Sequence, residues 1–500
     1  MSAGVDDPPD GGSHRHPAPA PAPAPTPHPG QGPDQGSQHG SLADNARRIA
    51  HLAWPVLIGQ LSVLAFSTVD TLLVARYAAV DLAALAIGAS AYITVFIGFM
   101  GVVLAISPIV GQLFGAGQHA QAGRQAHQAV WVALGLSAVG SLLLAFPYPF
   151  LAMSQATPEV AEKVRGYLLV LAFSLPASLM FTVYRGFNTA VSRPKAVMLI
   201  QVMGLALKIP LSVALVWGVP ALGIAPLGVL GCAIATGLAM WTQALVAWQV
   251  LRRDPFYAPF ELQGRGLDAP ERKSLGAHLR LGLPMGASIL IEVSGFSFMA
   301  IFIARLGTTP VAGHQIAVNL VTLMFMVPLA IASACTTLVS QRVGARDAAG
   351  ARRLAWHGLG IGCSVAAVLG GTVSLLDAAI VGLYTKDAVV AAAALPLITW
   401  VALFHFADAA QTVAAFVLRA WRIATVPLLV YVLALWVIGL GGGFVLAFNL
   451  TGEVSASLQG ARGFWVTTTA GLIVASVALC AYMAWVLRRM ARDTGITPGA

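Results

Sequence analysis

Apolar residues in this chain run in blocks, not in the alternation of strands or the heptads of coiled coils. From Leu52 onward, windows of about 20 predominantly apolar residues recur with short polar breaks between them. As a helix rising 1.5 Å per residue, such a block matches the roughly 30 Å hydrocarbon core of a bilayer. The pattern predicts twelve spans, near 52–76, 84–113, 127–149, 166–186, 195–217, 227–251, 281–305, 311–340, 355–376, 391–417, 424–447 and 464–487. One polar break is long, residues 252–280, and it divides the blocks six and six. Residues 1–45 differ from all that follows. Pro and Ala alternate over 17–25 among Gly, Ser, His and Gln, which offers nothing to bury and predicts a disordered tail. No apolar stretch follows a basic start, so no secretory signal is expected.

Composition agrees with a membrane solvent. Hydrophobic residues make up 57% of the 500, charged residues 10%, and mean hydropathy is +0.78. Soluble domains carry about 25% charged residues, so a water-soluble enzyme or nucleic-acid-binding protein is excluded. The basic excess, 29 against 20, reads as topology. With twelve spans, 22 of the basic residues fall on the side of the two termini, six on the other, and Lys208 inside a span. That asymmetry predicts cytoplasmic termini in a cell inner membrane. The expected organisation is a tail (1–45), an N-lobe (46–251), an inter-lobe loop (252–280), a C-lobe (281–487) and a C-tail (488–500). The four cysteines lie far apart in apolar segments and imply neither a disulfide framework nor a zinc site.

The two halves are repeats. Residues 52–128 align without gaps onto 281–357 at an offset of 229, with 17 identities in 77 positions. Pro55 meets Pro284, Ala75–Arg76 meets Ala304–Arg305, and Gln112, Gly115, Ala116 and Arg124 meet Gln341, Gly344, Ala345 and Arg353. Six spans per half make these parallel repeats, a transporter architecture. The expected fold is therefore an all-α integral membrane protein of two six-helix lobes.

Against that background, charges at bilayer depth are the informative residues, since each costs on the order of 2.5–3.5 kcal/mol to insert. There are four: Asp70, Glu292, Asp408 and Lys208. By the offset, Asp70 meets Met299 and Glu292 meets Val63, so the frame repeats and the charges do not. Two different sites are expected, one per lobe. Glu292 lies roughly 20 Å into its span, and Asp408, entering from the other side, reaches a comparable level. Such a pair suits a small cation held by oxygen ligands or a shared proton, and sequence leaves both open. Pro176, Pro210 and Pro328 sit within spans, as packing features or hinges. His405 precedes Asp408 by three residues on the same helical face, where it could tune that carboxyl.

Several stretches together resemble the multidrug and toxic compound extrusion (MATE) family, NorM-type branch. They are Val69-Asp70-Thr71, Gly115-Ala116-Gly117, Leu283-Pro284, Ile291-Glu292-Val293, Ala312-Gly313-His314-Gln315-Ile316, Met326-Val327-Pro328-Leu329-Ala330, Gly344-Ala345-Arg346, Asp408-Ala409-Ala410-Gln411 and Leu418-Arg419. The resemblance covers residues 46–490 and implies a cation-coupled antiporter that expels cationic, amphipathic small molecules across the lipid bilayer. By it, Glu292 and Asp408 match the C-lobe cation site, and Asp70 matches the N-lobe aspartate. Phe404 stands where some relatives carry a tyrosine, so an oxygen ligand is missing. Where relatives often show Asn-Ile-Pro-Leu-Asn, this chain has Lys208-Ile209-Pro210-Leu211-Ser212. Lys208 is therefore expected to pair with Asp70 as a tethered cation, with Ser212 nearby, leaving coupling to Glu292 and Asp408. The expected coupling ion is Na+, with H+ coupling and a lipid-linked precursor flippase as alternatives. No cofactor, nucleic acid or obligate protein partner is expected, and no enzymatic constellation is present.

Overall fold

The computed structural model describes residues 40–154, 156–223, 225–263 and 266–493. Among them, twelve helices are long and apolar enough to cross a membrane. In chain order these are α1 (Leu42–Ala75), α2 (Ala79–Gly115), α3 (His119–Ala145), α4 (Pro158–Ala190), α5 (Pro194–Trp217) and α6 (Val229–Arg253). The second half supplies α7 (Arg272–Ala304), α8 (Thr308–Gly344), α9 (Ala348–Leu375), α10 (Val401–Ala420), α11 (Thr425–Ala447) and α12 (Ala461–Met490). No strand occurs among the described residues. Most of the expected tail, up to His39, lies outside the described residues, as does the C-tail beyond Asp493.

Local chemistry explains where the helices depart from the hydropathy blocks. α1 starts ten residues before the apolar run because Ser41 and Asp44 form a capping box, each side chain accepting the other's backbone N–H at 3.2 and 3.1 Å. Residues 42–45, expected in the tail, are helix. α2 breaks at Leu104–Ala105. Pro108 has no N–H to offer the Leu104 carbonyl, which accepts from Ser107 instead at 3.0 Å. Pro176, Pro210 and Pro328 stay inside continuous helices, so the proline at a helix break is one the hydropathy pattern did not single out. The tenth block divides into a short helix, Ala388–Ile398, and α10, parting at Thr399–Trp400 beyond Pro396.

Each lobe has its own buried apolar cluster, and the first helix of each half crosses to the other. Ile49, Leu52 and Ala53 at the start of α1 belong to the C-lobe cluster. Leu281 and Met285 at the start of α7 pack with Ala105 and Ile109 of α2. These crossings lie at the end of the bundle bearing most basic residues, called here the basic end. There α2 and α8 clasp one another about the repeat axis. Gln112 donates to the Ala420 carbonyl at 2.7 Å, and its repeat mate Gln341 donates to the Ala190 carbonyl at 2.7 Å. Gly115 lies against the Gln341 carbonyl and Gly344 against the Gln112 carbonyl, approaches that any Cβ would forbid. Between the lobes, Asp254 anchors the linker. The Phe256 backbone N–H, with Arg193 at 2.6 Å, holds its carboxyl below the usual carboxylate range.

Candidate ion-coupling sites

In the N-lobe, α1 and α5 bring Asp70 and Lys208 together. Lys208 Nζ lies 2.7 Å from Asp70 Oδ1, and the ammonium also donates to the Phe66 carbonyl, one turn earlier on α1, at 2.9 Å. Its charge sits 4.9 Å from the centre of the Phe66 ring. Lys208 is 0% exposed and Asp70 6%, so both charges are out of water. Two ions removed from solvent persist only when their attraction and further hydrogen bonds compensate them; here the close contact and the lysine's bond to the Phe66 carbonyl do so. Ser212, one turn beyond Lys208, is buried, and its hydroxyl has no partner among the described residues. The equivalent C-lobe position, Met299, is a buried thioether that accepts from Thr468 at 3.8 Å. The lobes therefore differ chemically at one matched place.

In the C-lobe, α7 carries Glu292 and α10 carries Asp408. Glu292 is half-buried and Asp408 buried, 4% exposed, and the two carboxyls lie close enough to interact electrostatically. Neither has an ion-pair partner within 4 Å among the described residues, and Glu292 makes no hydrogen bond there. Gln411 donates to Asp408 Oδ1 at 2.9 Å and to Thr412 at 3.0 Å, while Tyr431 of α11 donates to the Gln411 carbonyl oxygen. Arg419 is buried three turns below Asp408, stacked 4.1 Å from the Phe416 ring centre, within electrostatic reach of Glu292. α11 widens into a π-helix over Val432–Gly441, and Trp436 within it donates to the Ile291 carbonyl beside Glu292 at 3.1 Å. Such bulges recur at functional sites because they re-aim side chains.

The flanking residues divide. Phe404 is packed between Phe296 and Trp465, centroids 5.9 and 5.6 Å away, and supplies no oxygen. His405 is fully buried but makes no hydrogen bond to Asp408 or to any other described residue. Tyr431 and Arg419 were not anticipated as site residues. The spacing of Arg419, eleven residues after Asp408 and so on nearly the same helical face, was a readable signal; Tyr431 comes from another helix and left none. His314 accepts from Trp465 at 3.2 Å, a packing role. Among the described residues no group of three or more His, Cys, Asp or Glu is placed to hold a metal ion.

A family model described as MatE matches the chain twice, over residues 55–214 and 284–445. The matches begin 229 residues apart, at Pro55 and Pro284, the offset of the internal repeat. The chain is 39% identical over 447 residues to the probable multidrug resistance protein NorM of Aromatoleum aromaticum, covering 89% of this chain and 95% of that one. It is 33% identical to the multidrug resistance protein PmpM of Pseudomonas aeruginosa, covering 89% and 93%. The NorM of Vibrio cholerae is 32% identical, covering 89% and 96%. Among solved structures, the eukaryotic MATE transporter AtDTX14 superposes with a TM-score of 0.80 at 19% identity, over 90% of this chain and 98% of that one. A MATE crystal structure in the bent conformation gives 0.81 at 20% identity, over 91% and 98%. At these identities the structural likeness bears on the fold alone.

Proposed function

The chain belongs to the MatE family, and from that premise we propose that it is a cation-coupled multidrug efflux antiporter, driven by Na+ and exporting cationic, amphipathic compounds. The observation that carries the reading is the asymmetry of the two buried sites. Asp70 already holds a cation, Lys208, that cannot leave. Glu292 and Asp408 face each other's charge with no basic side chain in ion-pair contact, and Glu292 is open enough to meet an ion. Two neighbouring carboxylates in a poorly solvated site repel, so a bound cation lowers their energy and its release raises it. That difference is what an ion gradient works against. Na+, a hard cation, suits carboxylate and carbonyl oxygens, and the half-buried Glu292 also offers a counter-charge to a cationic cargo. The excess of basic residues at the clasped end supports placing that end, and both termini, in the cytoplasm, with the protein in the inner membrane.

The test uses purified protein in sealed liposomes loaded with a fluorescent cationic dye. Dye movement is expected under an imposed Na+ gradient and not under an H+ gradient of equal size. Glu292→Gln, still inserted and folded, is expected to lose that movement. Unchanged Na+-driven transport in Glu292→Gln removes the site assignment, and transport driven by H+ alone removes Na+ as the coupling ion.

A further inference from the structure

At the basic end, a cavity of about 310 Å³ opens between the first turns of α9 and the last turns of α12. Arg352, Arg353, Trp356 and His357 line it from α9 and Arg488 from α12. Three guanidinium groups converge there, yet none forms an ion pair or hydrogen bond with any described residue. Two other arginines of this end are neutralised locally, Arg193 by Asp254 and Arg342 by Asp347, each at 2.6 Å. His357 is oriented rather than free. The Asn45 amide of α1 can only donate to His357 Nδ1, at 2.8 Å, which leaves the ring proton on Nε2. The cavity thus presents donors and positive charge, with an exposed indole, Trp356, at its rim.

The internal repeat supplies an independent indication of what belongs there. At the offset of 229, Trp356 and His357 correspond to His127 and Gln128 of α3. In the N-lobe that turn is covered by the chain itself. His127 holds the Asp268 carboxylate at 2.9 Å, and Gln128 donates to the Ala269 carbonyl at 2.9 Å and accepts from the Glu271 N–H at 2.8 Å. The C-lobe copy of this surface has gained Arg352 where the N-lobe has Gly123, and no described acidic residue covers it. Where one copy is closed by a carboxylate, the other is built for a stronger anion from outside.

We propose that this cavity binds a phosphate-bearing anion, held by Arg352, Arg353 and Arg488 with His357 Nε2–H as a further donor. Guanidinium forks match phosphate oxygens in pairs, and each arginine near a membrane surface strengthens binding of anionic lipid about fivefold. A place at the ends of two spans and the exposed rim tryptophan suit a phospholipid headgroup; inorganic phosphate has the same chemistry.

The experiment follows the unfolding midpoint of the full-length protein in neutral detergent during titration with three probes: short-chain phosphatidylglycerol, short-chain phosphatidylcholine and inorganic phosphate. Wild type is compared with Arg352→Gln/Arg353→Gln/Arg488→Gln and with a charge-matched control, Arg47→Gln/Arg48→Gln/Arg272→Gln. Phosphatidylglycerol is expected to raise the midpoint in wild type and control, with phosphatidylcholine ineffective and at least tenfold more phosphatidylglycerol needed in the cavity variant. An equal arginine-dependent response to inorganic phosphate upholds the cavity and identifies a soluble occupant. The same response in the cavity variant as in wild type, or an equal response to phosphatidylcholine, overturns the proposal. Should the triple variant not fold, Arg488→Gln, an exposed position, is expected to bind about fivefold more weakly, and an unshifted titration there has the same overturning force.

Discussion

Lys208 makes the N-lobe site unlike the C-lobe site. Removing one member of a buried ion pair leaves the other charge uncompensated, a loss of about 3–5 kcal/mol. Lys208→Ala is therefore expected to lower unfolding stability in detergent by that order, and Asp70→Asn by a similar amount. Lys208→Ala/Asp70→Asn together should recover much of the loss, since neither charge then remains stranded; strict additivity in the double-mutant cycle would mean that the 2.7 Å contact contributes nothing. The pairing was legible as one acid and one base in the same lobe, although Asp70 lies nearer the end of its span than Lys208 does of its own. The stem of the lysine spans the mismatch, and the Phe66 carbonyl anchors it, a contact no sequence pattern displays. The C-lobe was less legible. Glu292 and Asp408 stand out as charges in apolar blocks, but the hydrogen-bonded chain from Tyr431 through Gln411 to Asp408 needs three-dimensional neighbours, and the isolation of His405 contradicts what its helical spacing suggests.

At the scale of helices, the close crossing of α2 and α8 is where small changes should register. Gly344→Ala places a methyl group against the Gln112 carbonyl, an overpacking expected to cost about 1–3 kcal/mol and to loosen the crossing. Gly135→Ala, in α3 with open space around it, is the matched comparison and should be neutral or slightly stabilising. Equal effects of the two on the unfolding midpoint would show that the crossing is not tight. The hydropathy blocks located twelve spans but missed two divisions, at Leu104–Ala105 in α2 and at Thr399–Trp400 before α10, because apolar side chains continue through both while the backbone does not. They also spread attention over Pro176, Pro210 and Pro328. Only the structure distinguishes prolines that leave their helix unbroken from Pro108, whose partner carbonyl is taken over by Ser107 at a break.

For the whole molecule, every hydrogen bond described between the halves lies at the basic end: Asn45 to His357, Gln112 to Ala420, Gln341 to Ala190 and Ser192, and the linker's bonds to α3. No described hydrogen bond joins the lobes at the opposite end. This arrangement is closed at one end, and the proposed alternating-access antiport requires those contacts to part in each cycle. Two of them, Gln112 to Ala420 and Gln341 to Ala190, are related by the internal repeat, so under the proposed mechanism the clasp is expected to open as a unit. A covalent tie across the basic end should then stop transport without removing ion access from the other end. With Cys363 and Cys480 replaced, Ser192→Cys/Gln341→Cys joined by a short thiol crosslinker is expected to lose Na+-driven dye movement. A cleavable crosslinker should restore it on reduction, while Na+ still protects Glu292 from carboxyl-modifying reagents throughout. Full transport with the tie in place would mean that the basic end does not open, and the two lobes would have to exchange ion and cargo without rocking.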